Sequence, residues 1–147
     1  MRGGADRDRH LLAGAGERLA VLYDGDCGFC AWALAWLLRW DRGRRLEPVA
    51  IQSEEGARLL AGLPPERRLA SWHARDAHGL VVSGGAALAH VLPRVPAGAP
   101  LAELAERFPR ATEAGYAWVA AHRSGLGRLV SAGGERRARA LIAARMH

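Results

Sequence analysis

The chain has 147 residues, 50% of them hydrophobic, and a formal net charge of +6. A single domain of that length buries about two-thirds of its unfolded surface, which excludes dependence on disulfides or metal for a core. All 21 basic residues are arginine, in clusters such as Arg42-Gly43-Arg44-Arg45, Arg67-Arg68 and Arg136-Arg137-Ala138-Arg139. No cluster is interleaved with aromatic residues, so they describe a solvated basic surface and argue against a nucleic-acid partner.

Residues 1–17 are rich in Gly, Arg and Asp without a sustained period, and are expected to form a mobile arm. The apolar stretch there, Leu11-Leu12-Ala13, is too short for a signal-peptide core, so a cytoplasmic protein is expected. The longest apolar run, Phe29 to Leu38, is ten residues, short of the roughly 18 to 20 that a membrane span needs.

Leu19 to Tyr23 is a short apolar run that suits a central strand buried on both faces. Asp24-Gly25-Asp26 then turns the chain, with Asp26 placed as a helix N-cap, and Cys27 to Trp40 predict the first helix. Trp32, Trp36 and Trp40 recur at four-residue steps, while Leu34, Leu37 and Leu38 lie on other faces. A helix apolar nearly all round is expected to be buried, with the tryptophans in the core or on the sheet. A partner-binding or membrane-interface stripe is the alternative.

Leu46 to Ile51 alternates as a second strand, and Pro48 argues against a fully hydrogen-bonded central position. Ser53, followed by Glu54 and Glu55, caps a short helix to about Leu60. The runs Leu69–Arg75 and Leu80–Val82 flank Asp76-Ala77-His78-Gly79, which is hairpin turn chemistry. Gly84 and Gly85 are candidates for a tight turn or close backbone approach, and a helix from Ala86 to about Leu92 stops at Pro93. Helices over Leu101–Arg107, Thr112–His122 and Glu135–Met146 complete the chain.

Strand, helix, strand, helix, hairpin, helix predicts an α/β fold with a central mixed four-stranded sheet, β-α-β-α-β-β-α, of thioredoxin-like arrangement with extra C-terminal helices. The expected organisation is an arm at 1–17, a thioredoxin-like domain with a helical extension at 18–130, and a basic helix at 131–147. Ser131-Ala132-Gly133-Gly134 breaks the chain before that helix and suggests loose attachment.

Two cysteines at i and i+3 on the first turn of a helix can close a small disulfide ring. Cys27 lies where unpaired backbone N–H groups stabilise a thiolate, which makes it the attacking thiol; Cys30, one turn in, would resolve the mixed disulfide. Asp24 and Asp26 would each disfavour a nearby thiolate, opposing the helix end. Asp24 is a candidate proton acceptor or relay when Cys30 attacks, and Asp26 a cap; simple turn formation accounts for either residue as well. The expected catalytic set is Cys27, Cys30 and Asp24, with no cofactor and no metal. The partners would be a disulfide- or dithiol-containing substrate and an external thiol reductant.

The segment Leu22 to Cys30 resembles the DCC family of predicted thiol-disulfide oxidoreductases, named for an Asp and two Cys, which Asp24, Cys27 and Cys30 match. Asp76 to Gly79 through Gly84 to Ala87 is similar to the family's hairpin and following helix, and Tyr116 to Arg123 to its C-terminal segment. The likeness covers about residues 19 to 130 and implies a thioredoxin-like fold and dithiol-disulfide exchange. Many thioredoxin-like proteins place a cis-proline immediately before the third strand, where it presents backbone groups to substrate. Here Pro64 and Pro65 fall several residues before Leu69, which puts docking of a peptide substrate in question.

Two other readings use the same residues. Cys27, Cys30, His73 and His78 have locally permissible zinc-ligand spacing, though 42 residues separate the pairs. Alternatively the domain is a non-catalytic protein-interaction or redox-sensing module using the tryptophan stripe and basic tail.

Overall fold

A computed structural model describes residues 18–146; the arm expected at 1–17 lies outside them. The sheet is built around β1 (Leu19–Tyr23), which pairs in parallel with β2 (Leu46–Ala50) and antiparallel with β3 (His73–Arg75). β3 continues as a hairpin into β4 (Val81–Ser83), giving the order β2-β1-β3-β4. Pro48 stands opposite Val21 on the edge strand β2, where a missing N–H breaks no second ladder. At the hairpin, Asp76 Oδ1 accepts from the N–H of His78 and Leu80, each at 2.9 Å.

Side chains alternate across β1. Leu19, Val21 and Tyr23 face one core with Leu34 and Leu38 of α1 (Gly28–Trp40), Ala87 and Val91 of α4 (Gly85–Val91), and Ile142 of α7 (Ala132–Arg145). Leu22 faces the other way, onto Val49, Ile51 and Leu60, beside α2 (Glu54–Leu59). A short α3 (Pro65–Arg68) leads into β3, while α5 (Ala99–Arg107) and α6 (Pro109–Gly127) follow α4. The mixed four-stranded α/β architecture is the thioredoxin-like one expected, with strands and helices close to their expected spans. Gly84 has φ +63°, and Gly85 lies so close to Glu113 that an added Cβ would be 3.1 Å from its backbone, so this pair performs both the turn and the close approach.

Three expectations need correction. The cap of α1 is Cys27, not Asp26, and the helix begins at Gly28. Trp32 and Trp36 are not core residues: α1 buries Ala31, Leu34, Ala35 and Leu38, which leaves Trp32 37% and Trp36 58% exposed. α1 packs on the sheet, on α6 and on α7, and the two indoles stay exposed beside Gly134 and Arg137 of α7, whereas Trp40 packs partly against the core. Finally, α7 is built into the core through Ala138 and Ile142. At its end Arg145 pairs with the fully buried Asp41 carboxylate at 3.0 Å, beneath the C-terminus of α1. Asp41 also accepts from the N–H of Arg45 at 3.0 Å and of Leu46 at 2.9 Å, so one carboxylate joins α1, β2 and α7.

Candidate active site

β1 ends at Tyr23 and the chain must reverse onto α1. Asp24 makes the turn locally, its Oδ1 accepting from Asp26 N–H at 3.0 Å and its carbonyl accepting from Cys27 N–H at 3.2 Å. Two distant residues hold the turn. Gln52, just past β2, donates to Asp24 Oδ1 at 2.6 Å and accepts from Gly25 N–H at 2.9 Å. Arg139 of α7 donates to the Gly25 carbonyl at 2.7 Å.

Cys27 takes the N-cap position with extended backbone (φ −95°, ψ 112°), and its Sγ accepts from Cys30 N–H at 3.3 Å. That bond satisfies one of the unpaired N–H donors at the start of the helix. Both cysteines are free and partly buried. The Cys30 thiol is pushed up to about 12, first by burial, then by its hydrogen bond to Cys27 and the charge there, with Asp24 adding in the same direction and Arg123 opposing. The two sulfurs are therefore differentiated: the first accepts a helix-end N–H, and the second is held in its protonated form by burial and neighbouring charge.

Asp24 stands between roles. Oδ1 is occupied by the turn, while Oδ2 faces Arg123 of α6 at 3.7 Å, and the side chain is mostly buried. Cys30, Asp24 and Arg123 share the wall of a cavity of about 270 Å³ between α1, the segment before β3, and α6. Phe29, Leu34, Leu37, Trp72, Tyr116 and Val119 make most of its remaining lining. Tyr116 is fixed there by accepting from Trp72 N–H at 2.9 Å and by stacking its ring on Trp72, with centroids 6.4 Å apart. Burial raises its phenol pKa.

The sequence singled out Asp24, Cys27 and Cys30, and these are brought together. It assigned no role to Gln52, Arg123 or Arg139. A signal for Gln52 existed: if β1 and β2 are parallel and in the register Tyr23↔Ala50, the residue two past β2 meets the residue two past β1. The four residues of the zinc reading are not assembled. His73, paired with Leu22, lies on the opposite sheet face to α1, and its ring nitrogens contact Ser83 Oγ at 2.6 Å and the Arg68 carbonyl at 2.8 Å. Among the described residues no cluster of three or more His, Cys, Asp or Glu side chains could hold a metal ion. Nor is any helix among them long and apolar enough to cross a membrane.

A thioredoxin-like domain with a Cys-x-x-Cys pair capping the helix after its first strand has the framework of the thiol-disulfide oxidoreductases. The DCC1-like thiol-disulfide oxidoreductase family model matches residues 21–129, and the chain belongs to that family. The match ends before α7, so Arg139 and its bond to the turn lie outside it. No curated protein and no solved structure matches the chain.

Proposed function

We propose that the protein catalyses dithiol-disulfide exchange with Cys27 as nucleophile, Cys30 as resolving thiol and Asp24 as proton acceptor. The observation that carries this reading is the asymmetry of the pair: Cys27 Sγ accepts the Cys30 N–H at 3.3 Å, while burial and the neighbouring charges hold the proton on Cys30. The Cys27 thiolate attacks one sulfur of a substrate R–S–S–R′, forming Cys27–S–S–R and releasing R′S⁻, which takes a proton from solvent. With the charge on Cys27 gone, two of the causes that hold the Cys30 proton disappear. Asp24 takes that proton, the Cys30 sulfur attacks Cys27 Sγ, and RS⁻ leaves with the proton returned from Asp24. The Cys27–Cys30 disulfide is then reduced by two equivalents of an external thiol, which leave as their own disulfide. A thiol-rich cytoplasm supplies that reductant and is the setting proposed.

Cys30→Ser protein incubated with disulfide substrates should accumulate an adduct on Cys27, visible by intact mass and removed by dithiothreitol. Consistent absence of the adduct counts against the scheme.

The exposed Trp32 and Trp36, their rings 6.2 Å apart, favour a second reading, a non-catalytic interaction or redox-sensing module. Model disulfides reduced no faster by wild type than by Cys27→Ser would select that module over the enzyme.

A further inference from the structure

The cavity beside Cys30 is more than the cysteine chemistry requires. A resolving thiol needs a path to Cys27 Sγ and a proton acceptor, yet about 270 Å³ of space opens next to it, walled by Phe29, Leu34, Leu37, Trp72, Tyr116 and Val119. An apolar cavity of about 150 Å³ already holds a benzene ring. The space here fits one substituted ring or a short branched alkyl group, and little more.

The surrounding backbone gives an extended peptide little to grip. In the segment entering β3, Trp72 N–H donates to the Tyr116 hydroxyl at 2.9 Å, and the Trp72 carbonyl accepts from Gly84 N–H at 3.2 Å. The Trp72 N–H is thus taken within the fold, and strand-like pairing of a substrate backbone with it would have to break that bond. No proline stands between Leu69 and His73 to present a substitute. What the lining offers a substrate is burial of an apolar group.

Resting on the thiol-disulfide reading above, we propose that the substrate is a low-molecular-weight disulfide bearing an aromatic or branched apolar substituent, which the cavity between α1, the β3 approach and α6 receives. The substituent R of Cys27–S–S–R lies in the cavity during the mixed-disulfide stage. Attack by Cys30 then expels RS⁻, and the apolar thiol RSH departs. The electron balance is that of the exchange cycle, with the external thiol as reductant.

Two measurements test this separately. First, Cys27→Ser protein, which cannot turn over, is titrated with dibenzyl sulfide, a thioether that cannot be reduced, while the fluorescence of the protein's tryptophans is followed. Saturable binding that the polar thioether thiodiglycol does not compete away is expected, weakened at least about tenfold by Ala120→Phe, or by the milder Ala33→Leu, because either fills the cavity. Second, wild type with an external thiol should show kcat/KM for dibenzyl disulfide at least about tenfold above that for bis(2-hydroxyethyl) disulfide. The same preference should collapse in the two variants.

Absence of saturable thioether binding alongside normal turnover of the hydroxyethyl disulfide overturns the substrate assignment alone. So does a peptide disulfide turned over faster than dibenzyl disulfide. Thioether binding with no turnover of any disulfide removes the redox reading itself, and the substrate assignment with it.

Discussion

Gln52 donates from its side-chain amide to Asp24 Oδ1 across 2.6 Å while its carbonyl accepts Gly25 N–H at 2.9 Å, so the loop after β2 grips both sides of the turn after β1. The turn that presents Cys27 is therefore held from a neighbouring strand. Gln52→Ala should cost about 1–2 kcal/mol of stability, less than the roughly 2–4 kcal/mol that a neutral bond and a bond to a charged group together are worth when buried, because both bonds are exposed. It should also slow Cys27 attack on a model disulfide, since the turn would lose its anchor. Urea denaturation and a stopped-flow thiol assay measure the two effects, and an unchanged attack rate would show that the turn holds itself.

The two cysteines should be distinguishable by alkylation. At pH 7.5 iodoacetamide should modify Cys27 alone, because the Cys30 thiol is pushed up to about 12 and reacts only as its thiolate. Peptide mapping after a timed quench reads the ratio. In Cys27→Ser, where the charge and the thiolate acceptor are removed, Cys30 should become measurably more reactive, though burial still restrains it.

Asp24→Asn removes the proposed proton acceptor while keeping a side chain able to shape the turn. Resolution of the Cys27 mixed disulfide should slow about 10²-fold, within the usual range for losing a positioned acid-base group, while formation of that intermediate is little affected. Single-turnover kinetics separate the two steps. If the mixed disulfide resolves at the wild-type rate, Asp24 is a turn residue only.

α7 should be essential to the domain. Arg145→Ala leaves Asp41 as a buried, uncompensated carboxylate and should destabilise the protein by about 3 kcal/mol or more. Arg145→Met with Asp41→Leu, which removes both charges, should recover part of that loss, although Asp41 also serves two backbone N–H groups. Chemical denaturation of the three proteins measures the difference.

Stability should fall as the medium is acidified, partly through His73 and His90, whose pKa values burial lowers in the folded state. A lowered folded pKa means that the unfolded chain binds more protons below about pH 6.5, so the contribution is present above that pH and is lost as pH falls through it. His73→Gln should flatten the slope of unfolding free energy between pH 7 and pH 5. An unchanged slope would assign the acid sensitivity to other groups.

The parts of the fold legible in the sequence were those governed by near neighbours. An apolar run ending at Asp24-Gly25 specifies a strand end, Ser53 with Glu54 and Glu55 specifies a helix start, and Asp76 to Gly79 specifies a hairpin, each through bonds spanning a few residues. The tryptophan spacing was equally legible but underdetermined its own meaning. Periodicity shows which side chains share a face of α1, yet only its packing against the sheet, α6 and α7 decides that Trp32 and Trp36 stay exposed. The cap was misassigned for a similar reason: Asp26 has the usual capping chemistry, but Asp24 Oδ1 takes its N–H into the turn and moves the helix start to Gly28.

The sequence by itself determined the chemistry on offer: two thiols one helical turn apart, an aspartate three residues ahead, and a strand-turn-helix to hold them, because the spacing of bonded neighbours sets those relations. Tertiary structure alone decided how firmly the second thiol holds its proton and what lies beside it. Arg139 reaches Gly25 across 114 positions, Tyr116 reaches Trp72 across 44, and the cavity next to Cys30 exists only where α1, the β3 approach and α6 converge. Burial and charge at a point in space depend on residues far apart in the chain. The proton held on Cys30, and the apolar space in front of it, arise from that convergence.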